Sequence, residues 1–270
     1  MLMRRLLAAT TVAVSLASCS HVVSTGRSTK PPERWPQTLA DLHFQWVADP
    51  GIDLLNQPIV AIRAYIESTV LVRFGGSLDY LYPGFDRAVD PDTPPAAGNP
   101  LSTVGRWPQP GGDGDRMVGT DFRRILRIDQ TGRDVTAVVC HWAYGAAWQQ
   151  PDGMYRIESV RTGPTTALGV ERIGLQAPAI PMADKLPPQK GPSPYPLIDV
   201  FGGWKIVGHL QATDPNGAGP EWPEFLQDQA ACADRAPVSV ERREYLTSAE
   251  RPRSDFPTLP SEPGWPVETK

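Results

Sequence analysis

Apolar positions recur along this chain at two spacings, and the change of spacing divides it. Ile59, Ile62, Ile66, Val70 and Phe74 follow a helical period, with Tyr65 and Thr69 alongside and Arg63, Glu67 and Arg73 largely off the stripe. Asn56 is placed to cap this helix, Pro58 suits its first turn, and Gly75-Gly76 ends it. Beyond residue 119 the period falls to two. Thr120, Phe122, Leu126 and Ile128 predict one face of a strand, and Gln130–Arg133 reads as a turn. Val135–Tyr144 (VTAVVCHWAY) is apolar on both faces, which marks a central strand. Pro151-Asp152-Gly153 turns the chain into Tyr155–Val160, and strands over Ala167–Leu175 and Gly203–Leu210 follow. Glu221–Ala233 predicts a short helix, and Trp35, Leu39, Leu42, Phe44 and Trp46 mark the edge of the domain.

The first residues follow another pattern. Arg4 and Arg5 precede an apolar run, Leu6–Ala17, which ends in Leu16-Ala17-Ser18-Cys19. A basic start, an apolar middle and a small-residue close describe a secretory signal. The run is too short for a bilayer core, which needs about 20 apolar residues. LASC resembles the bacterial lipobox. That resemblance implies cleavage before Cys19, a diacylglycerol on its thiol and an amino terminus open to fatty acylation such as palmitate. A cleaved signal with an incidental Cys19 is the alternative. The expected organisation is a signal peptide over 1–18, a lipidated tether over 19–36, one α+β domain over 37–246 and a proline-rich mobile tail over 247–270. The expected location is the outer, extracytoplasmic face of the cell membrane, held by lipid.

Composition sharpens this picture. The chain of 270 residues has 30 Pro and 24 Gly, about one residue in five. Long proline-rich stretches neither continue helices nor fill central strands. A medium domain with long connectors and tails is therefore expected. The net charge of −4 becomes more negative once Arg4 and Arg5 leave with the signal, so nucleic acid is excluded as a partner. With Cys19 acylated, Cys140 and Cys232 remain. An oxidising compartment favours a disulfide between them, and two free buried thiols are the alternative.

An early helix followed by antiparallel strands, ending in Gly203-Trp204-Lys205-Ile206, resembles the nuclear transport factor 2 superfamily, also called steroid-isomerase-like or cystatin-like. The likeness covers roughly residues 55–211. It implies an α+β fold, with a curved antiparallel sheet packed on one or two N-terminal helices around an apolar cavity. Enzyme members place an acid–base carboxylate with a tyrosine or histidine in that cavity. The insertions at 83–117 and 177–202 depart from the pattern. The whole chain is also similar to lipoproteins of mycobacteria and other actinobacteria that display such domains outside the membrane.

The strand residues able to carry chemistry are His141, Trp142, Tyr144, Tyr155, Glu158 and His209. Alternation puts His141 and Trp142 on opposite faces, and no sequence pattern sets a carboxylate against them. The four histidines lack metal-ligand spacing, and neither a nucleophile elbow nor a phosphate loop is present, so no metal or cofactor is expected. Trp142, Tyr144 and Trp148 are the candidate surface for an apolar ligand, with plain core packing as the alternative. Two functions stay open. One is a non-enzymatic envelope lipoprotein that binds a small apolar molecule or another envelope protein. The other is an isomerase- or hydrolase-like enzyme. A buried carboxylate facing Tyr or His within one deep pocket supports the enzyme, and a filled cone supports a structural or interaction role.

Overall fold

The first strand lies where the sequence pattern gave only a domain edge. In the computed structural model, which describes residues 35–90, 106–112, 114–157, 163–180, 186–212, 218–220 and 222–267, β1 runs over Asp41–Ala48. Leu42, Phe44 and Trp46 alternate inward along it, a short period-two signal. The signal segment, Cys19, the tether up to residue 34 and Glu158 lie outside the described residues.

Helix α1 covers Ile59–Gly75. Pro58 sits at its N-cap, the Asn56 carbonyl accepts from Val60 N–H at 3.2 Å, and Gly76 closes it in a left-handed turn at φ 78°. The helix is buried from Ile59 to Val72, Arg63 and Glu67 included. The expected polar face is therefore covered. Its neighbours there are segments that the proline content had suggested were loose.

A short α2 (Phe85–Ala88) precedes the main strands: β2 (Met117–Thr131), β3 (Asp134–Trp142), β4 (Ala146–Gln149), β5 (Tyr155–Arg156), β6 (Leu168–Gln176) and β7 (Lys205–Ala212). They form one strongly curled, mostly antiparallel sheet in the order β5-β4-β2-β3-β6-β7, an α+β fold. β1 adds to the other edge of β2 and runs parallel to it. β3 is flanked by β2 and β6, as its two apolar faces required. A bulge between Ile125 and Arg127 inserts one residue into β2. It reverses the alternation there, so Ile128 packs on the α1 side, while Phe122 and Leu126 face the opposite layer. Between β3 and β4 the chain bends through Ala143–Gly145. A Cβ on Gly119 would come 2.1 Å from the Gly145 carbonyl oxygen, so only glycine allows that closeness.

Both faces of the sheet are covered. α1 packs on one, with Ile62, Ile66, Ile125, Val139 and Ile173 in contact. α3 (Phe225–Asp234) and α4 (Val240–Ser248) cover the other, over Val138, Trp142, Leu210 and Trp222. Cys140 of β3 and Cys232 of α3 form a disulfide, with Cα atoms 5.5 Å apart and a sequence separation of 92. Closing a loop of that size stabilises the fold by about 4–5 kcal/mol in the chain-entropy account.

The segment expected from 247 onward as a mobile tail is packed on the domain over its described residues. Phe256 and Trp265 are fully buried, and Trp46 N–H donates to the Glu262 carbonyl at 2.7 Å along the outer edge of β1. Proline stops helices and ladders, but it does not prevent packing. Two large aromatic rings among the prolines supply enough buried surface to fix the segment. Glu67 of α1 gathers this layer: Trp46 Nε1 donates to its Oε1 at 2.8 Å, and Trp265 Nε1 and Tyr82 Oη donate to its Oε2 at 2.8 and 3.0 Å. Arg63, one turn away, lies over the Trp265 ring at 4.3 Å and donates to the carbonyls of Leu54, Gln189 and Pro263.

Candidate functional site

Charged residues are costly on a core-facing strand position, yet the α1 side of the sheet holds several together. β2 places Asp121 and Arg123 two residues apart, hence on one face. His141 of β3 pairs in register with Arg123. Glu171 of β6 lies opposite Val139, one step along the same face, and His209 of β7 lies opposite Ile173. Tyr65 reaches down from α1.

These side chains form one chain of contacts. The Tyr65 hydroxyl is 2.9 Å from His209 Nδ1, and His209 Nε2 is 3.2 Å from a Glu171 carboxylate oxygen. Arg123 Nη1 donates to the other Glu171 oxygen at 2.5 Å, and Arg123 Nε donates to Asp121 at 2.6 Å. The second Asp121 oxygen lies 3.5 Å from His141 Nε2. Two imidazoles are thus each backed by a carboxylate, and one guanidinium joins the carboxylates. Asp121, Arg123, Glu171 and His209 are at most 5% exposed, whereas the His141 side chain keeps 22%.

The electrostatics follow from this crowding. Burial alone would raise the Glu171 carboxyl, but Arg123 and then the His209 hydrogen bond hold it below the usual carboxylate range. Asp121 is likewise lowered, with burial outweighed by Arg123 and His141. Burial and then Arg123 push the His141 imidazole down, against the pull of Asp121, so it is neutral at neutral pH. Tyr65 is held protonated by burial and by Glu171. The Arg106 carbonyl, 3.2 Å from the Tyr65 hydroxyl, offers that proton a second acceptor. Tyr65, His209 and Glu171 thus form one hydrogen-bonded line, and the partly exposed His141 meets Asp121 at the other end of the cluster.

The sequence candidates are distributed differently. His141 and His209 share this face with the two carboxylates. Trp142 is buried in the opposite layer, where its Nε1 donates to the Cys232 carbonyl at 3.1 Å. Tyr144 is buried there too, stacked near Phe122 at 6.0 Å, and its hydroxyl has no hydrogen-bond partner among the described residues. Trp148 lies on the α1 side, edge-on to Phe74 at 5.1 Å. The three rings are not brought together. Tyr155 packs with Phe256, away from the histidines. The sequence reading did not single out Asp121, Arg123, Glu171 or Tyr65. The available signal was charge on the core-facing parity: Asp121 and Arg123 share a face with Ile125, and Glu171 shares one with Ile173 and Leu175.

Among the described residues, no three His, Cys, Asp or Glu side chains are grouped to hold a metal ion, and no helix is long and apolar enough to cross a membrane. Comparison with family models, with curated proteins and with solved structures finds no match to this chain.

Proposed function

We propose that this chain is an exported lipoprotein, anchored through Cys19 to the outer face of the cell membrane, whose domain carries an acid–base site for a small molecule on the α1 side of its sheet. The observation that carries the reading is the unbroken chain of contacts Tyr65–His209–Glu171–Arg123–Asp121–His141, with the partly exposed His141 side chain at its end. Buried ion pairs of this kind add little net stability, since desolvation offsets their attraction. Perturbed, clustered titratable groups are instead typical of working sites.

In this reading His141 accepts the proton and Asp121 orients its ring and stabilises the imidazolium that forms. Arg123 keeps both carboxylates ionised, and Tyr65 and Glu171 hold the His209 ring between them. Glu171 meets His209, and His209 in turn meets the Tyr65 hydroxyl, so a buried carboxylate faces a histidine as the likeness to the nuclear transport factor 2 superfamily implied for an enzyme member. It supports the isomerase- or hydrolase-like reading. The non-enzymatic reading uses the same face, with His141 hydrogen-bonding a ligand and transferring no proton.

Histidine-selective NMR of the mature protein tests the core of the proposal. His141 should titrate below the ordinary imidazole value of about 6.5, and a His141 that is protonated at pH 7 refutes the base role. Turnover is then sought as deuterium wash-in from heavy water into enolisable ketones and as hydrolysis of aryl esters. His141→Gln should lower either rate by about 100-fold or more with an unchanged melting temperature. Binding without turnover favours the non-enzymatic reading.

A further inference from the structure

We infer that the loop face carrying Leu197, Ile198 and Val267 rests on the lipid bilayer and fixes how the domain is oriented over the membrane. This rests on the Cys19 anchor proposed above. With Pro266 and the buried Pro196 and Val200, these residues line a depression of about 250 Å³ at the surface. Leu197, Ile198 and Val267 are 38%, 46% and 49% exposed, unusual for three branched apolar side chains gathered at one place.

Two observations distinguish this patch from a loose apolar loop. First, it is rigidly presented. Ser193 and Trp265 exchange backbone hydrogen bonds at 3.0 and 2.8 Å, and a Cβ on Gly191 would meet the Trp265 carbonyl oxygen at 2.4 Å. The two loops therefore interlock by backbone contact within a few residues of the exposed side chains. Second, the anchored end of the chain reaches the domain beside it. Trp35, the first described residue, stacks on Tyr195 with ring centroids 6.4 Å apart, and Tyr195 precedes Pro196.

Sixteen residue steps separate Cys19 from Trp35, and a chain of that length spans at most about 55 Å. The patch is thus tied to the bilayer by its nearest neighbour in the fold. Tethering raises the effective concentration of the bilayer at this face, so a modest apolar surface is enough for contact. A lipid leaflet also asks for no shape complement, which suits a shallow surface without a deep slot. With this face down, the α1-layer segments are directed to the membrane, and α3 and α4 lie on the far side of the sheet.

The test is hydrogen–deuterium exchange on the full lipidated protein in vesicles of phosphatidylethanolamine and phosphatidylglycerol. The reference is the mature chain carrying Cys19→Ser in buffer. Mass spectrometry of the vesicle sample reads the Cys19 acyl group. At least tenfold slower exchange at Leu197, Ile198 and Val267 on vesicles, lost in a Leu197→Asp, Ile198→Asp double variant, supports the proposal. An acylated protein whose patch exchanges equally on vesicles and in buffer overturns it and leaves the anchor standing. An unmodified Cys19 overturns both. Protection in buffer that grows with protein concentration assigns the face to a second copy of this chain and overturns the membrane contact. If the double variant misfolds, the wild-type comparison alone decides.

Discussion

Replacing Glu67 by Gln isolates a single buried carboxyl whose surroundings pull in opposite directions. Burial raises it to about 7, against the attraction of Arg63 and the hydrogen bonds from Trp265, Trp46 and Tyr82. Protonated Glu67 still accepts from both indoles, one at each oxygen, and its proton can be donated to the Tyr82 oxygen. Gln has nearly the same volume but only one acceptor oxygen. Whichever way its amide points, one indole N–H faces an NH₂ and loses its partner, at a cost of about 1–3 kcal/mol. The pH dependence adds a second term. A carboxyl raised from 4.5 to about 7 contributes stability that is fully present below pH 4.5 and is lost as pH rises through 7. At about 1.4 kcal/mol per pH unit this amounts to roughly 3 kcal/mol. Wild type should therefore exceed Glu67→Gln clearly at pH 4.5, and the two should converge or cross by pH 8. Urea unfolding of both proteins at half-unit pH steps measures the gap, and groups common to both cancel. A gap that is constant, or that widens as pH rises, would show that the three donors and Arg63 outweigh burial and would refute the argument.

Cys19→Ser should leave the protein unprocessed or release it from the membrane fraction, whereas wild type should enter detergent with an acyl-sized mass excess. A soluble, unmodified wild-type chain contradicts the anchor. The paired Cys140→Ala, Cys232→Ala variant should lose about 2–5 kcal/mol, read as a lowered melting temperature, and identical melts with and without reductant would deny the bridge any role. Trp148→Ala should cost about 2–3 kcal/mol by opening the contact with Phe74. Lost ligand binding at unchanged stability would instead make Trp148 part of a site.

Local patterns carried much of the fold. The period-3.6 stripe gave α1, and the doubly apolar run gave β3 its central place, since both follow from which faces need burial. β1 was harder to see because its alternation is short, and its partner is β2, far along the sequence and parallel. The bulge at Ile125–Arg127 is one inserted residue with no composition of its own, so Ile128 was assigned to the wrong side. The closing segment misled for a different reason. Its prolines speak about backbone, while Phe256 and Trp265 decide packing. For the candidate site, His141 and His209 were visible as residue types. Their meeting with Asp121 and Glu171 depends on the register of four strands, and strand register between distant segments is not written in a single sequence.

The order in which the chain is made gives the Trp265 contact a consequence in time. Synthesis runs from the amino end, so β1 and α1 are complete long before residue 265 emerges. Until it does, Glu67 lacks an indole partner, Arg63 lacks the Pro263 carbonyl, and the outer edge of β1 lacks Glu262. Cys140 similarly waits for Cys232. The domain cannot mature stepwise behind the advancing chain. It closes late, as a ring whose clasp is made after the parts it holds, and a chain stopped at residue 250 is an unfinished domain, not a shorter one.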